Sequence, residues 1–242
     1  MEVDAVPCFN HWLNRDASPD FMATNTKSRA DGAEEKNADV QRRLLAAATH
    51  LFIKNGYRGV SIREIADRAK TNSALISYYF GGKEGLFVQV FKEVAAPLND
   101  KRAANFEQLE QAGTLTVESI VRAWVSPMFE GRSLAKESPV TTLSFSLNAE
   151  QGKLSEQLIV EIYDAINFRF LSMLEACLPG IPRETLVWRL FFLVGAILTA
   201  TRPHGRSFKR LSQGNATAQD SNELIEQLVQ FAAAGFRAPP LR

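Results

Sequence analysis

Two short helices joined by a tight polar turn, in the first third of the sequence, constrain the fold of this chain most strongly. Ser61 and Glu64 have capping-box spacing, in which each side chain satisfies the free backbone N–H of the other at a helix start. Residues 70–72 are polar and predict a turn, and Asn72 can cap the helix that follows. The glycine pair 81–82 ends that second helix. Together these signals predict a helix-turn-helix.

The second helix of such a unit enters the major groove of DNA, where its early residues contact base edges. Small side chains let this helix sit deep in the groove, and hydroxyl groups can bond to bases or phosphates. Lys83 begins the next helix, where free N–H groups and the helix dipole also favour a phosphate. The residues expected to contact DNA are Arg42, Ser61, Arg63, Asn72, Ser73, Ala74, Ser77, Tyr78 and Lys83.

An amphipathic helix precedes this unit and another follows it. The preceding helix has its apolar side chains on one face at helical spacing: Val40, Leu44, Leu45, Ala48, Leu51 and Phe52. Gly56 ends it, because glycine adopts the left-handed conformation without a steric penalty. In the following helix, Pro97 is expected to cause a kink or an interruption.

The rest of the sequence has the apolar periodicity of helices and shows neither strand alternation nor internal repeats, so the fold class is predicted to be all-α. The segment 203–218 is polar and is expected to be a loop. The first 38 residues lack an apolar period and carry four Lys and Arg against seven Asp and Glu, which is typical of a disordered acidic arm. The predicted domains are this arm (1–38), a helix-turn-helix domain (39–86), a helical effector-binding and dimerisation domain (87–236) and a tail (237–242).

Two stretches of the sequence resemble the DNA-binding domain of the TetR/AcrR family of transcriptional regulators: residues 61–66, SIREIA, and residues 76–86, ISYYFGGKEGL. The resemblance implies an all-helical homodimer with a DNA-binding head and a larger ligand-binding body. The chain departs from the family at positions 70–71, where many members have Gly-Val and this chain has Lys-Thr. It also has Ser77 where many members have a phosphate-contacting tyrosine, so that contact is expected to move to Tyr78.

The same resemblance implies that the body encloses a pocket for a small apolar effector. Aromatic residues at helical spacing more often form a core, and a few of them are nevertheless expected to line the pocket beside a polar anchor. The residues expected to bind the effector are Trp124, Phe129, Phe145, Arg169, Phe170 and Phe192; Arg122, Arg189 and Arg202 are further candidates to anchor a carboxylate or phosphate. Residues 181–182, IP, residues 186–196, LVWRLFFLVGA, and residues 231–238, FAAAGFRA, lie in the last quarter of the chain. They are similar to those of PsrA-type fatty-acid-responsive regulators, and this resemblance implies a long-chain fatty acid or acyl-CoA as effector.

Two C-terminal helices carry apolar residues on more than one side, which is more than packing within one domain requires. Pairing of both helices across a two-fold axis would form a four-helix bundle between two chains. The residues expected at this interface are Val187, Phe191, Val194, Gly195, Leu198, Leu224, Leu228 and Phe231. The alternative is that Phe191 and Leu228 belong to the core of a single chain.

Several classes of protein are disfavoured by what the sequence lacks. Two cysteines and three histidines without ligand spacing predict no metal site, and no cofactor is expected. The sequence has no phosphate-binding glycine loop, nucleophile elbow or HExxH pair, so an enzyme is not expected. The longest apolar run, 190–198, is too short to span a bilayer, and the first residues lack the features of a secretory signal. A cytoplasmic location without membrane contact is therefore expected.

These patterns predict a homodimeric regulator, most simply a repressor, that binds a pseudo-palindromic operator in double-stranded DNA. A small apolar effector would bind the body and favour a shape that releases the operator. The rival hypothesis is a helical protein–protein interaction module without DNA binding.

Overall fold

The computed structural model describes residues 26–129, 138–150, 153–200, 205–215 and 220–240. These ranges contain ten α-helices, one 3-10 turn at Ser126–Met128 and no strand, which confirms the all-α prediction. The helices are α1 (Thr26–Asn55), α2 (Ile62–Ala69), α3 (Ala74–Phe80), α4 (Lys83–Ala112), α5 (Val117–Val125), α6 (Pro139–Glu150), α7 (Lys153–Cys177), α8 (Arg183–Ala200), α9 (Gly205–Leu211) and α10 (Ser221–Arg237). None of the helices in these ranges is long and apolar enough to cross a membrane.

The chain divides into two units after Asp39, and all the packing described below lies in the unit that begins at Val40. Within this unit, we call α2, α3, the part of α1 from Val40 and the start of α4 the head. Its core is a continuous cluster of buried apolar side chains, which also includes Leu143 of α6 and Leu158 of α7. Its members from the head are Leu44, Ala47, Ala48, Phe52, Val60, Ile65, Ala66, Ala69, Ile76, Leu86, Phe87, Val90 and Phe91. The rings of Phe52 and Phe87 meet edge to face, with centroids 5.0 Å apart, and so join α1 to α4.

The body comprises the rest of α4 and the helices from α5 to α10. Its core is centred on Phe170 of α7, whose ring contacts those of Phe106 on α4, Trp124 on α5 and Phe236 on α10 at centroid distances of 5.4–6.3 Å. Aromatic side chains bury much apolar area, so these contacts hold four helices around one point.

Helix α4 belongs to both cores. Phe87 and Phe91 at its start pack in the head, and Leu98 and Phe106 further along pack in the body. The expected interruption at Pro97 is wrong, because α4 continues through this residue for 30 residues in all. Pro97 removes only one backbone N–H, and it does so on the exposed side of the helix, while the buried faces before and after it remain packed.

Three further boundaries differ from the sequence prediction. Helix α1 begins at Thr26, so the predicted disordered arm is wrong for residues 26–38, and residues 1–25 lie outside the described part of the chain. Ala, Glu and Lys are frequent before Asp39 and are good helix formers, and extending an existing helix needs no new nucleus. The predicted loop 203–218 contains α9, and the predicted boundary after residue 86 falls inside α4.

Candidate nucleic-acid interface

The start of α2 is held by the predicted capping box. The backbone N–H of Glu64 donates to Ser61 Oγ at 3.2 Å, and the backbone N–H of Ser61 donates to a Glu64 carboxylate oxygen at 2.7 Å. These hydrogen bonds hold the pKa of Glu64 below its usual value, with the bond from the Ser61 backbone contributing most. The first helix of the helix-turn-helix therefore begins at a residue that local chemistry specifies.

The turn between α2 and α3 is held from both sides. Lys70 ends α2 in the left-handed conformation, with φ 53° and ψ 51°. Arg43 of α1 donates from Nη1 to the carbonyl oxygen of Ala69 at 3.0 Å and so satisfies a free carbonyl at the end of α2. On the other side, the side-chain oxygen of Asn72 accepts the N–H of Ala74 at 2.8 Å, which confirms the predicted cap. The contribution of Arg43 was not predicted, because it depends on the position of α1 against α2.

Helix α3 presents the expected face to solvent. Ile76 is fully buried in the head core, whereas Tyr79 and Phe80 are half-buried. Ala74, Ser77 and Tyr78 are exposed, and 77% of the surface of Tyr78 is open to solvent. Residues three and four apart lie on one side of a helix, so these three form a single exposed face. Of the nine predicted DNA-contacting residues, two are half-buried, Ser73 and Lys83, and seven are exposed: Arg42, Ser61, Arg63, Asn72, Ala74, Ser77 and Tyr78.

Lys83 is placed at the start of α4, as predicted, and an aromatic ring supports it. Its Nζ lies 4.4 Å from the ring centroid of Tyr57, a cation–π contact. The Tyr57 ring in turn packs against Phe87 of the head core, at 4.8 Å between centroids. Tyr57 thus positions the ammonium group beside the helix-turn-helix, a role that its sequence position did not suggest.

A close backbone approach fixes α3 relative to α4. A Cβ atom at Gly85 would lie 1.8 Å from the carbonyl oxygen of Phe80, so only glycine fits there. The position of the exposed face of α3 therefore depends on α4, which also packs in the body.

The residues predicted to bind the effector do not form one site. Trp124, Phe129 and Phe170 are buried in the body core, whereas Phe192 is 64% exposed on α8. Arg169 lies at the edge of the body and pairs with Glu110, at 2.8 Å between Nη2 and Oε2. The side chain of Phe145 lies outside the described residues.

The other arginines that the sequence suggested as anchors are also engaged. Arg122 pairs with Glu226 of α10, and Arg189 donates to the carbonyl oxygen of Phe236 at 2.8 Å. Arg202 lies outside the described residues. Two of these candidates therefore link helices of the body.

The predicted dimer residues fall into three groups by exposure. Phe191 and Phe231 are 63% and 67% exposed, and Gly195 is exposed with them. Leu228 packs in the core of its own chain, as the alternative interpretation held for that residue. The remaining four are half-buried: Val187, Val194, Leu198 and Leu224. Trp188, which was not among the residues predicted at the interface, is also 66% exposed and lies on the same helix as Phe191.

Comparison with known proteins identifies the class to which this fold belongs. Residues 44–90 match the model "Bacterial regulatory proteins, tetR family", and residues 122–235 match "Tetracyclin repressor-like, C-terminal domain". The two matches together cover about two thirds of the chain and include the head and most of the body. The chain belongs to the TetR family, which is a family of regulatory proteins and not of enzymes, as the sequence predicted.

Individual relatives share shorter stretches. The repressor NicS of Pseudomonas putida is 38% identical over 78 residues, which are 32% of this chain and 37% of NicS. The regulator YttP of Bacillus subtilis is 45% identical over 51 residues, 21% of this chain and 25% of YttP. The chain therefore matches well under half of the length of these two relatives. Among solved structures, FadR of Bacillus subtilis in complex with stearoyl-CoA is similar over 80% of this chain and 98% of FadR, with a TM-score of 0.55 and 18% identity, a likeness of fold.

We predict that Lys70→Gly stabilises the protein. Lys70 adopts a left-handed conformation that costs a residue with a Cβ about 1 kcal/mol and costs glycine little. The melting temperature should therefore rise by a few degrees. Lys70→Ala removes the same charge but keeps the Cβ, and it should not produce the gain. An equal increase in both variants would show that charge, and not backbone conformation, is responsible.

Proposed function

We propose that this protein is a transcriptional regulator that binds an operator in double-stranded DNA through α3. The observation that carries the proposal is the face of Ala74, Ser77 and Tyr78, which is exposed on a short helix whose other side is anchored in the head core. A seven-residue helix is about 10 Å long, which suits insertion into one major groove. Lys83 lies beside this face, where an ammonium group can meet a phosphate.

The regulator is proposed to act as a dimer. One short recognition helix makes few base contacts, so a pseudo-palindromic site read by two heads supplies the missing specificity. A candidate interface is the apolar face of α8 and α10, which includes the exposed rings of Trp188, Phe191 and Phe231. Exposed aromatic clusters of this kind are typical of protein–protein interfaces. Gly195 has open space around it, which would let two α8 helices approach closely across a two-fold axis.

Repression and release by an effector complete the proposal. NicS, which shares 38% identity over 78 residues, is itself described as a repressor. Release would require a ligand that binds one shape of the body more tightly than another. Helix α4 would couple effector binding in the body to the position of the head, because it packs in both cores. A shift of the part of α4 in the body would also move the part in the head.

A fatty acyl compound is the effector class that we propose. The C-terminal quarter is similar to PsrA-type regulators, and the FadR structure of like fold was solved with stearoyl-CoA. The aromatic body core would offer such a chain an apolar environment.

A first prediction concerns DNA. Selection from random double-stranded oligonucleotides should enrich a pseudo-palindrome, and Lys83→Ala should weaken binding to every sequence alike. The slope of log affinity against log salt should become shallower by about one unit, because the variant neutralises one phosphate fewer. Lys92→Ala is the matched control on the same helix, since Lys92 pairs with Glu161 of the body. Recovery of no enriched palindrome would favour the interaction-module hypothesis.

A second prediction concerns the dimer. Phe191→Glu combined with Phe231→Glu places charges on the proposed interface without touching the core, so it should give a folded monomer. Sedimentation and circular dichroism would measure assembly and folding. Operator affinity should fall at least tenfold, because a monomer reads only one half of a pseudo-palindromic site. Phe168→Glu, at an exposed ring on α7, should leave the dimer intact. A double variant that still sediments as a dimer would place the interface elsewhere.

A third prediction concerns the effector. Fatty acids or their CoA thioesters of increasing length should raise the melting temperature, because a ligand that binds only the folded state stabilises it by about 2.7 kcal/mol at a hundredfold excess over Kd. The same compounds should weaken operator binding. A series from eight to eighteen carbons with neither effect would reject the acyl class and leave the operator proposal standing.

A further inference from the structure

Arg102 of α4 is buried inside the body. It is the one charged side chain that is buried among the described residues, with 2% of its surface exposed. Its position continues the apolar stripe formed by Leu98 and Phe106, four residues to either side. A buried cation is costly unless an anion or several hydrogen bonds compensate for its lost hydration.

The partners of Arg102 within the described residues do not include a carboxylate. Its Nε donates to the carbonyl oxygen of Trp124 at 2.9 Å, and Nη1 lies 3.5 Å from the side-chain oxygen of Asn99. A guanidinium has five N–H groups, so these contacts leave several donors unused. Burial lowers the pKa of Arg102 to about 10, and the nearby Tyr163 opposes part of this shift. The side chain thus remains a cation at neutral pH.

Other arginines of the body show that this pattern is unusual for the chain. Arg122 and Arg169 both lie at the surface, and each pairs with a carboxylate of a neighbouring helix. Arg237 likewise pairs with Glu118. Arg102 therefore differs from these three in being buried and in having no carboxylate partner among the described residues.

Among the described residues, three buried polar atoms without hydrogen-bond partners lie on helices that pack against α4: Trp124 Nε1 on α5, Thr141 Oγ1 on α6 and Asn167 Oδ1 on α7. The ring of Trp124 stacks on the guanidinium, whose Cζ is 3.9 Å from the ring centroid. Thr141 lies one turn of α6 before Ser144, and Asn167 lies one turn of α7 after Tyr163.

Asn99, which lies beside Arg102, donates from Nδ2 to the carbonyl oxygen of Ile162 at 2.7 Å and so holds this part of α7 against α4. Native proteins rarely leave buried polar groups unpaired, so unpaired atoms on three helices that pack against the helix of a buried cation are a reason to look for a ligand there.

We propose that Arg102 anchors the carboxylate of a small organic effector bound between α4, α5, α6 and α7. The Nη groups of Arg102 would donate to the carboxylate as a fork, and Trp124 Nε1–H and the Thr141 hydroxyl can add donors. Asn167 Oδ1 would accept from a hydroxyl or N–H group of the ligand. The aromatic rings of the body core around Phe170 would contact its apolar part.

This inference deepens the proposed function and rests on it, since it names the chemical group by which the effector is held. It also favours a free acid over a thioester, because a thioester has no carboxylate at the end of its acyl chain. Arg102 lies on α4, so a ligand that engages it acts on the helix whose start carries Lys83 and packs in the head.

A purely structural role is the competing explanation. The Trp124 carbonyl that Arg102 binds belongs to the last turn of α5, where free carbonyl groups favour a cation. On that explanation Arg102→Met should destabilise the protein, and carboxylates should bind no better than their neutral analogues.

The deciding experiment compares matched acids and amides on the full chain. Octanoate, hexadecanoate and phenylacetate, each with its primary amide, are titrated by calorimetry against wild type, Arg102→Met and the control Arg237→Met, which removes a surface arginine paired with Glu118. At least one acid should bind wild type and Arg237→Met and raise their melting temperatures. The amides should not do so, and Arg102→Met should bind that acid at least tenfold more weakly. If Arg102→Met does not fold, Thr141→Val and the acid–amide comparison on wild type replace it.

Operator binding measured in the same samples separates the two proposals. Acid binding that depends on Arg102 in a protein without operator affinity would support the site and overturn the regulator proposal. Operator binding in a protein that does not distinguish acids from amides would overturn the carboxylate site and keep the regulator. Equal acid affinity in wild type and Arg102→Met would also overturn the assignment of Arg102.

Discussion

The structure depends on α4, a single 30-residue helix that contributes side chains to two cores. Phe87 and Phe91 hold its first turns in the head, while Phe106 holds its later turns in the body. A continuous helix transmits a displacement along its axis, because its hydrogen-bonded turns resist bending in the absence of a kink. Pro97 introduces no break in this helix, so the position of α3, packed against the start of α4, is tied to the packing of the body.

Several surface arginines among the described residues of the body pair with carboxylates of neighbouring helices, as Arg122 does with Glu226. Exposed pairs of this kind contribute little free energy each, and they orient neighbouring helices more than they stabilise them. Arg102 differs from them, because it is buried and its hydrogen-bond partners among the described residues are a carbonyl and a side-chain amide. A buried cation without a carboxylate partner lowers the stability of the folded protein. Groups in such unfavourable surroundings are common in binding sites.

The parts of the molecule that could be predicted from sequence are those held by contacts between near neighbours in the chain. Ser61 and Glu64 specify the start of α2, Asn72 caps α3, and the exposed face of α3 follows from helical periodicity alone. The effector-site prediction was weaker, because apolar periodicity identifies aromatic residues without showing which of them pack together. Trp124 and Phe192 both lie in apolar helical stretches of the sequence, yet Trp124 is buried and Phe192 is exposed.

By itself, the sequence determined an all-helical chain and the ends of the recognition unit, since capping, turn and periodicity signals act over a few residues. The regulator family followed from the resemblance of residues 61–66 and 76–86 to the TetR/AcrR family. Only the tertiary structure decided which residues lie where helices meet. It placed Leu228 in the core and left Phe231, three residues later, exposed, and it carried α4 through Pro97. It also buried Arg102, whose place in an apolar stripe was visible in the sequence although its lack of a carboxylate partner was not. These outcomes depend on contacts between residues far apart in the chain, which local patterns do not encode.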